Sequence, residues 1–152
     1  MSELRELYQE VILDHNRKPR NFGPIVPCNH KADGHNPLCG DNVTVYLDVE
    51  DGMVANVGFE GRGCAISMAS ASMMTDLVKG KSVADAERLF QSFHHLCTDD
   101  EVAAAPEGLE DEMDSLQVLA GVREFPMRVK CATLAWHTMN AALHGEAEVT
   151  TE

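Results

Sequence analysis

A β-hairpin packed by helices is the architecture this sequence predicts, and three patterns carry it. Residues 43–59 alternate apolar and polar side chains around an Asp-Gly pair. Residues 65–78 are small and apolar almost without a break. Residues 4–12 and 131–143 repeat apolar side chains at helical spacing. A chain of 152 residues fits one domain, and at that size it buries roughly 70% of the surface its unfolded form exposes.

The first helix is read from Leu4, Leu7, Tyr8, Val11 and Ile12, spaced i, i+3, i+4, i+7, i+8. It runs from about Ser2, as N-cap, to about Asn16, and Pro19 ends it. Asp14 to Gly23 is a basic stretch in an acidic chain and is expected to be an ordinary solvated turn. Pro24 to Gly34 is rich in Pro, Asn and Asp and is expected to be loop. Its Cys28 and His30 stand two apart, but nothing around them completes a metal site, so they read as a loop thiol and a loop imidazole.

Val43, Val45, Leu47 and Val49 form one half-buried strand; Met53, Ala55, Val57 and Phe59 form the next. A two-residue Asp51-Gly52 loop would pair Leu47 with Asn56 and mix the faces. A three-residue loop, Glu50-Asp51-Gly52, pairs Val49 with Met53, Leu47 with Ala55 and Val45 with Val57, and is the expected register. Carried back along the hairpin, it puts Cys39 opposite Gly63, beside Cys64.

Cys64 opens the buried helix 65–79, which Gly80 stops. Ser82 with Asp85 resembles a capping box for a helix to about Phe93. Cys97 to Glu112 is acidic; Val102 to Ala105 is a short helix or a loop. Leu116, Val118, Leu119 and Val122 suggest a further packed helix. The last helix follows Pro126, carries Cys131 in its first turns and ends at Gly145. The domain is thus expected over 1–145, with 146–152 a frayed tail.

Charge narrows the function. Against 12 basic residues stand 25 acidic ones, a formal charge of -13. Such a surface repels phosphate backbones and anionic lipid, so neither nucleic acid nor membrane is an expected partner. It suits a basic protein partner, or solubility alone. The N-terminus lacks the apolar run of a signal peptide, and no segment approaches the ~18 apolar residues of a membrane span. The expected location is cytoplasmic, where thiols stay reduced. Five cysteines, an odd number, fit free thiols or metal ligands better than disulfides.

The chemistry centres on His35-Asn36-Pro37-Leu38-Cys39-Gly40-Asp41. A soft thiolate and a hard carboxylate flank one flexible glycine, so both can turn to one point. Alone the stretch reads as an exposed turn. The hairpin brings in Cys64, and Cys131 joins because its helix must pack somewhere. Three thiolates and a carboxylate suit zinc, with metal–ligand lengths of about 2.3 Å to sulfur and 2.0–2.2 Å to oxygen. Cys64 stands at a helix N-terminus near Arg62, which favours its thiolate. The bland alternative is that Cys64 and Cys131 are small buried apolar residues.

Three motifs carry a family resemblance: Asn36-Pro37-Leu38-Cys39-Gly40-Asp41, the run Gly61 to Ser72 around Cys64, and Lys130-Cys131-Ala132. They resemble the NifU/IscU-like iron–sulfur cluster assembly family, and the similarity runs from the first helix to the last. It implies an α+β fold, a small antiparallel sheet packed by helices (the SufE/NifU, IscU-like fold), with a metal site at one end. The SufU branch fits best. Lys130 stands where IscU scaffolds carry a histidine, and the segment around Cys97 to Val122 looks like the SufU insertion. The resemblance implies a zinc site of Cys39, Asp41, Cys64 and Cys131. It implies as partners a SufS-type cysteine desulfurase and downstream Suf assembly proteins, with Cys39 the catalytic sulfur acceptor. Cys28 and Cys97 lie outside the motifs, and His35 stands where the family often has asparagine.

Three functions follow. One is a zinc-dependent persulfide carrier of the sulfurtransferase type, rather than an enzyme acting on a small molecule. Another is a scaffold for a [2Fe–2S] cluster on the same donors. The third is a structural zinc domain that only docks on a partner.

Overall fold

The computed structural model describes residues 2–98 and 106–150, with side chains from Gln9 onward. Helix α1 (Ser2–Arg17) leads into strands β1 (His30–Asn36), β2 (Asp41–Glu50) and β3 (Met53–Arg62). Helices α2 (Ala65–Val78), α3 (Val83–Thr98), α4 (Glu110–Leu116) and α5 (Pro126–Leu143) follow, then strand β4 (Glu148–Thr150). The Ser2 cap and the Leu4, Leu7 and Tyr8 side chains lie outside the described residues, as does Val102 to Ala105. The fold is α+β, as the resemblance implied.

β2 is one of the two interior strands and the better strand former of them, with Val43, Val45 and Leu47 almost wholly buried. The order is β3-β2-β1-β4. β1–β2 and β2–β3 are antiparallel; β4 runs parallel to β1, so the sheet is mixed. Residues 148–150 are therefore strand and not the frayed tail that the polar sequence suggested. At the other edge Gly23 N–H donates to Phe59 O (2.7 Å) and Phe59 N–H to Asn21 O (3.1 Å). The basic stretch thus covers a sheet edge instead of lying free in solvent.

The expected register of the β2–β3 hairpin is corrected. Glu50 faces Met53 across a two-residue Asp51-Gly52 loop, with φ of 52° and 76°, the left-handed pair of a tight hairpin turn. Pairing then shifts by one: Val49 faces Val54 but Asp48 faces Asn56, leaving Ala55 as a bulge. The extra residue removes the mixing of faces that argued against the short loop. Beyond it Leu47 meets Val57 and Val45 meets Phe59, while Val54 replaces Met53 and Ala55 in the core.

β1 stands where the sequence suggests loop, and its composition explains the difference. Its inward face is Ala32, Gly34 and Asn36, with none of the large apolar side chains that mark a strand. Those small residues admit α5. A Cβ on Gly34 would collide with Thr138 Oγ1 and lie 3.2 Å from Leu134 Cδ1. His30 Nδ1 pairs with Ala142 O at 2.9 Å and Asn36 Nδ2 reaches Cys131 Sγ at 3.5 Å. β1 and α5 thus run antiparallel. The lengths agree: about 20 Å of strand against about 16 Å of helix.

α2 is buried through Ala69, Ala71, Met73, Met74 and Val78. Ser82 Oγ accepts the Asp85 N–H at 3.0 Å, the expected cap, and α3 continues past Phe93 to Thr98. The packed helix read near Leu116 to Val122 is two pieces, α4 and a 3-10 helix over Gln117–Glu124. Pro126 takes the first turn of α5. Trp136 and Phe93, both fully buried, stack with ring centroids 4.9 Å apart in the layer between α3 and α5. Among the described residues no helix is long and apolar enough to cross a membrane.

Candidate metal centre

β1 turns into β2 through Pro37-Leu38-Cys39-Gly40, and Asn36 faces Asp41 at the base of that hairpin. Gly40 has φ 69°, a conformation that glycine adopts without a Cβ penalty. Cys39 on this loop is exposed. Asp41, one residue further in, is 1% exposed. β3 ends beside the start of β2, with Asn42 facing Arg62. The next step therefore sets Gly63 against Asp41, not against Cys39 as the expected register had it. A Cβ on Gly63 would overlap Asp41 Oδ1, so glycine is what lets the chain pass.

Cys64 is the N-cap of α2, and its Sγ accepts the Ser67 N–H at 3.4 Å. Its own N–H donates to Asp41 Oδ1 at 2.9 Å, and its Sγ lies 3.9 Å from Asp41 Oδ2. Cys131, 2% exposed, comes from the second turn of α5. Its Sγ is 3.3 Å from Cys39 Sγ.

One ligand atom each from Cys39, Asp41 and Cys131 lies within 4.8 Å of the others. Cys64 stands beside this group through its contact with Asp41. The sequence-derived donors are therefore brought to one end of the molecule. Cys28 and Cys97 are not. Cys28 is exposed and donates to His30 O at 3.2 Å, while the His30 ring is held by α5. Cys97 is buried in α3.

The donor set fits a dication. In a tetrahedral zinc site two sulfur ligands stand about 3.8 Å apart and a sulfur and an oxygen about 3.6 Å, from bonds near 2.3 and 2.1 Å; Cys39 Sγ and Cys131 Sγ are 3.3 Å apart, and Cys64 Sγ and Asp41 Oδ2 3.9 Å. Charge points the same way. Asp41 is buried, yet among the described residues no cationic side chain pairs with it. An ionised carboxylate without a cation is costly in such a place. Burial pushes the Cys131 thiol up, and hydrogen bonds with Asp41, Cys39 and Cys64 push it further. A positive charge placed beside Cys131 would offset that rise.

Asn36 belongs to the Asn36–Asp41 motif, but its residue type alone marks no function in the sequence. The structure buries it completely and aims its Nδ2 at Asp41 Oδ2 (3.3 Å) and Cys131 Sγ (3.5 Å). The missing signal was β1: once that strand is recognised, the four-residue loop makes Asn36 and Asp41 cross-strand partners.

Residues 7–145 match the family described as the NifU-like N-terminal domain. The chain belongs to that family. It is 37% identical over 147 residues, 95% of each chain, to the zinc-dependent sulfurtransferase SufU of Bacillus subtilis strain 168. It is 35% identical over 147 residues to the iron–sulfur cluster assembly scaffold protein IscU of Streptococcus pyogenes serotype M1, covering 97% of this chain and 89% of the relative. Among solved structures it is similar to a candidate iron–sulfur cluster assembly scaffold protein for the SUF system from Fervidobacterium islandicum AW-1. That match has TM-score 0.79 and 31% identity, covering 88% of this chain and 94% of the other. A protein solved without an assigned function gives TM-score 0.81 at 34% identity over 91% and 98% of the two chains.

Proposed function

We propose that this protein is a zinc-dependent acceptor and carrier of persulfide sulfur in iron–sulfur cluster assembly. Its donor would be a SufS-type cysteine desulfurase and its recipients downstream Suf assembly proteins, in the cytoplasm. Cys39, Asp41, Cys64 and Cys131 would hold the zinc. One observation carries the reading: of the three clustered sulfurs, Cys39 alone is exposed, on a loop tip, while Cys64 is half-buried and Cys131 buried. A partner's persulfide can reach Cys39 without the fold opening.

Bound zinc would supply the positive charge that keeps these thiols ionised at neutral pH. The Cys39 thiolate attacks the outer sulfur of the desulfurase persulfide. A Cys39–sulfur bond forms, the sulfur–sulfur bond of the donor breaks, and the desulfurase cysteine leaves as thiolate. No external oxidant or reductant is consumed. Asp41 and Cys131, held by Asn36, keep the base of the loop in place during the exchange.

The test is single-turnover transfer of labelled sulfur from the desulfurase, with zinc content measured in each variant. Cys39→Ala should accept none. Acceptance at the wild-type rate would overturn the assignment and pass it to Cys64, Cys131, Cys28 or Cys97. The similarity to IscU scaffolds supports a second reading, a [2Fe–2S] cluster built on the same donors. Lys130, before Cys131, offers no imidazole ligand. Metal content of protein purified without added iron separates the two readings.

A further inference from the structure

Among the described residues, two buried side-chain polar atoms lack a hydrogen-bond partner, and both belong to residues touching the metal centre. They are Asn36 Oδ1 and Ser67 Oγ. Asn36 is the more informative. Its side chain is 0% exposed and has two orientations open to it, amide nitrogen or carbonyl oxygen toward the donors. The Asp41 carboxylate decides between them, because it accepts and does not donate. Nδ2 carries two protons and meets two acceptors, Asp41 Oδ2 at 3.3 Å and Cys131 Sγ at 3.5 Å. The orientation leaves Oδ1 buried without a partner. A fold that keeps an unpaired carbonyl must gain from what the other end of the amide does.

The donations around the centre are unequal. Asp41 accepts from Asn36 Nδ2 and from Cys64 N–H. Cys64 Sγ accepts the Ser67 N–H, and Cys131 Sγ accepts from Asn36. Cys39 Sγ has the Cys131 thiol beside it, and among the described residues no N–H donates to it. A hydrogen bond to a thiolate draws off charge and lowers its nucleophilicity; its absence leaves the charge on sulfur.

We propose that Asn36 is the positioning residue of the centre. By bridging Asp41 and Cys131 with its amide protons, it fixes two donors in place and quenches Cys131, leaving Cys39 as the reactive sulfur. This rests on the zinc reading above and adds to it a residue outside the ligand set. The bridge is possible because Asn36 and Asp41 are cross-strand partners while α5 brings Cys131 down onto β1.

The test compares wild type with Asn36→Leu, of similar volume but without a donor, and Asn36→Ser, too short to span both acceptors. Zinc affinity is measured by competition with a chromogenic chelator, and thermal unfolding is followed on the zinc-free proteins. Zinc-loaded samples are alkylated with iodoacetamide and the modified cysteines mapped by mass. Affinity should fall about 10–100-fold in both variants, the usual cost of losing an outer-shell partner. The ratio of Cys131 to Cys39 alkylation should rise about tenfold or more in step with it, a change that a packing defect alone would not single out. A variant with zinc affinity within about twofold of wild type and an unchanged alkylation ratio overturns the proposal. If Asn36→Leu does not fold, the same criteria apply to Asn36→Ser. A wild type that takes up no zinc overturns the zinc reading instead, and the chelator titration reports that directly.

Discussion

Replacing Gly63 by alanine should damage fold and metal site together, and the size of the effect follows from what the new methyl group meets. An ideal Cβ there overlaps Asp41 Oδ1 and lies 2.9 Å from Asp41 Cγ and 3.1 Å from its Cβ. The obstacle is thus the whole side chain, not its tip. Asp41 is also buried at 1% exposure and pinned by the Cys64 N–H at 2.9 Å, so it cannot swing into solvent. Overpacking costs about 1–3 kcal/mol. Pushing the carboxylate off the Cys64 N–H forfeits a charge-assisted hydrogen bond worth about 1.5–3 kcal/mol. Taking about 3 kcal/mol for the pair and about 2–4 °C per kcal/mol at this chain length, the zinc-free protein should melt about 6–12 °C lower.

The assay is thermal unfolding of the zinc-free, reduced protein by circular dichroism, with zinc affinity measured by chelator competition. Affinity should fall about 10–100-fold, because the displaced group is itself a donor. Gly52→Ala is the control. Gly52 has φ 76° and nothing within 4 Å of its added Cβ, so only backbone strain of about 1–2 kcal/mol applies. It lies at the far end of the hairpin and should leave zinc affinity unchanged. If Gly63→Ala melts within about 2 °C of wild type and binds zinc equally well, the close approach of this backbone to Asp41 is not what shapes the site.

Removing zinc should itself lower the melting temperature. At a free concentration 1,000-fold above its Kd a ligand adds about 4 kcal/mol, or about 8–16 °C here, and an unchanged melting curve after verified metal loss would leave zinc a purely reactive role. The two cysteines outside the site should differ in reactivity: burial pushes the Cys97 thiol up to about 12, whereas Cys28 is exposed. Iodoacetamide at pH 8 should therefore label Cys28 and spare Cys97 until the protein is unfolded, and labelling of Cys97 in the native state would contradict its burial. Burial, then the neighbouring His94, holds the His137 pKa below its ordinary 6.5, and burial, then Arg20, does the same to His15. The unfolded chain then binds these protons first, so stability is lost as pH falls from about 6.5 through the lower folded values. His137→Gln should flatten the zinc-free melting profile between pH 7 and 5, and an unaltered slope would show that His137 takes no part.

The donors were legible in the sequence because their chemistry is local. Cys39-Gly40-Asp41 is contiguous, and Cys64 is marked by the glycines before it and the helix after it. The partner structure was less legible for a physical reason. β1 packs on α5 through Ala32, Gly34 and Asn36, and a strand whose buried face is small offers no alternation of large apolar side chains. β4 is three residues at an edge, held mainly by backbone bonds that any sequence can form. The β2–β3 register failed at a single residue. A bulge at Ala55 restores the facing of Leu47 and Val45 without lengthening the turn, and periodicity alone cannot distinguish a bulge from a longer loop.

The serines of α2 show how such unremarked residues set the site. In the sequence they merely interrupt an apolar run; in the structure they tie the helix to its neighbours. Ser70 Oγ donates to Ala132 O at 2.5 Å and accepts from Trp136 Nε1 at 3.2 Å, joining α2 to α5. Ser72 Oγ accepts the Arg20 N–H at 2.8 Å and pairs with His15 Nδ1 at 2.7 Å, joining α2 to α1 and the segment after it. Side chains this small bring the helix axes close, while the Ser70 and Ser72 hydroxyls pair with groups on the neighbouring elements. Cys64 and Cys131 sit at the starts of the two helices so joined, and Asp41 begins the interior strand β2 beneath them. Three donors are thus set by packed elements, whereas Cys39 alone rides on a loop. The division of labour proposed for the sulfurs follows from that frame: the buried donors define a place, and the exposed one exchanges with a partner.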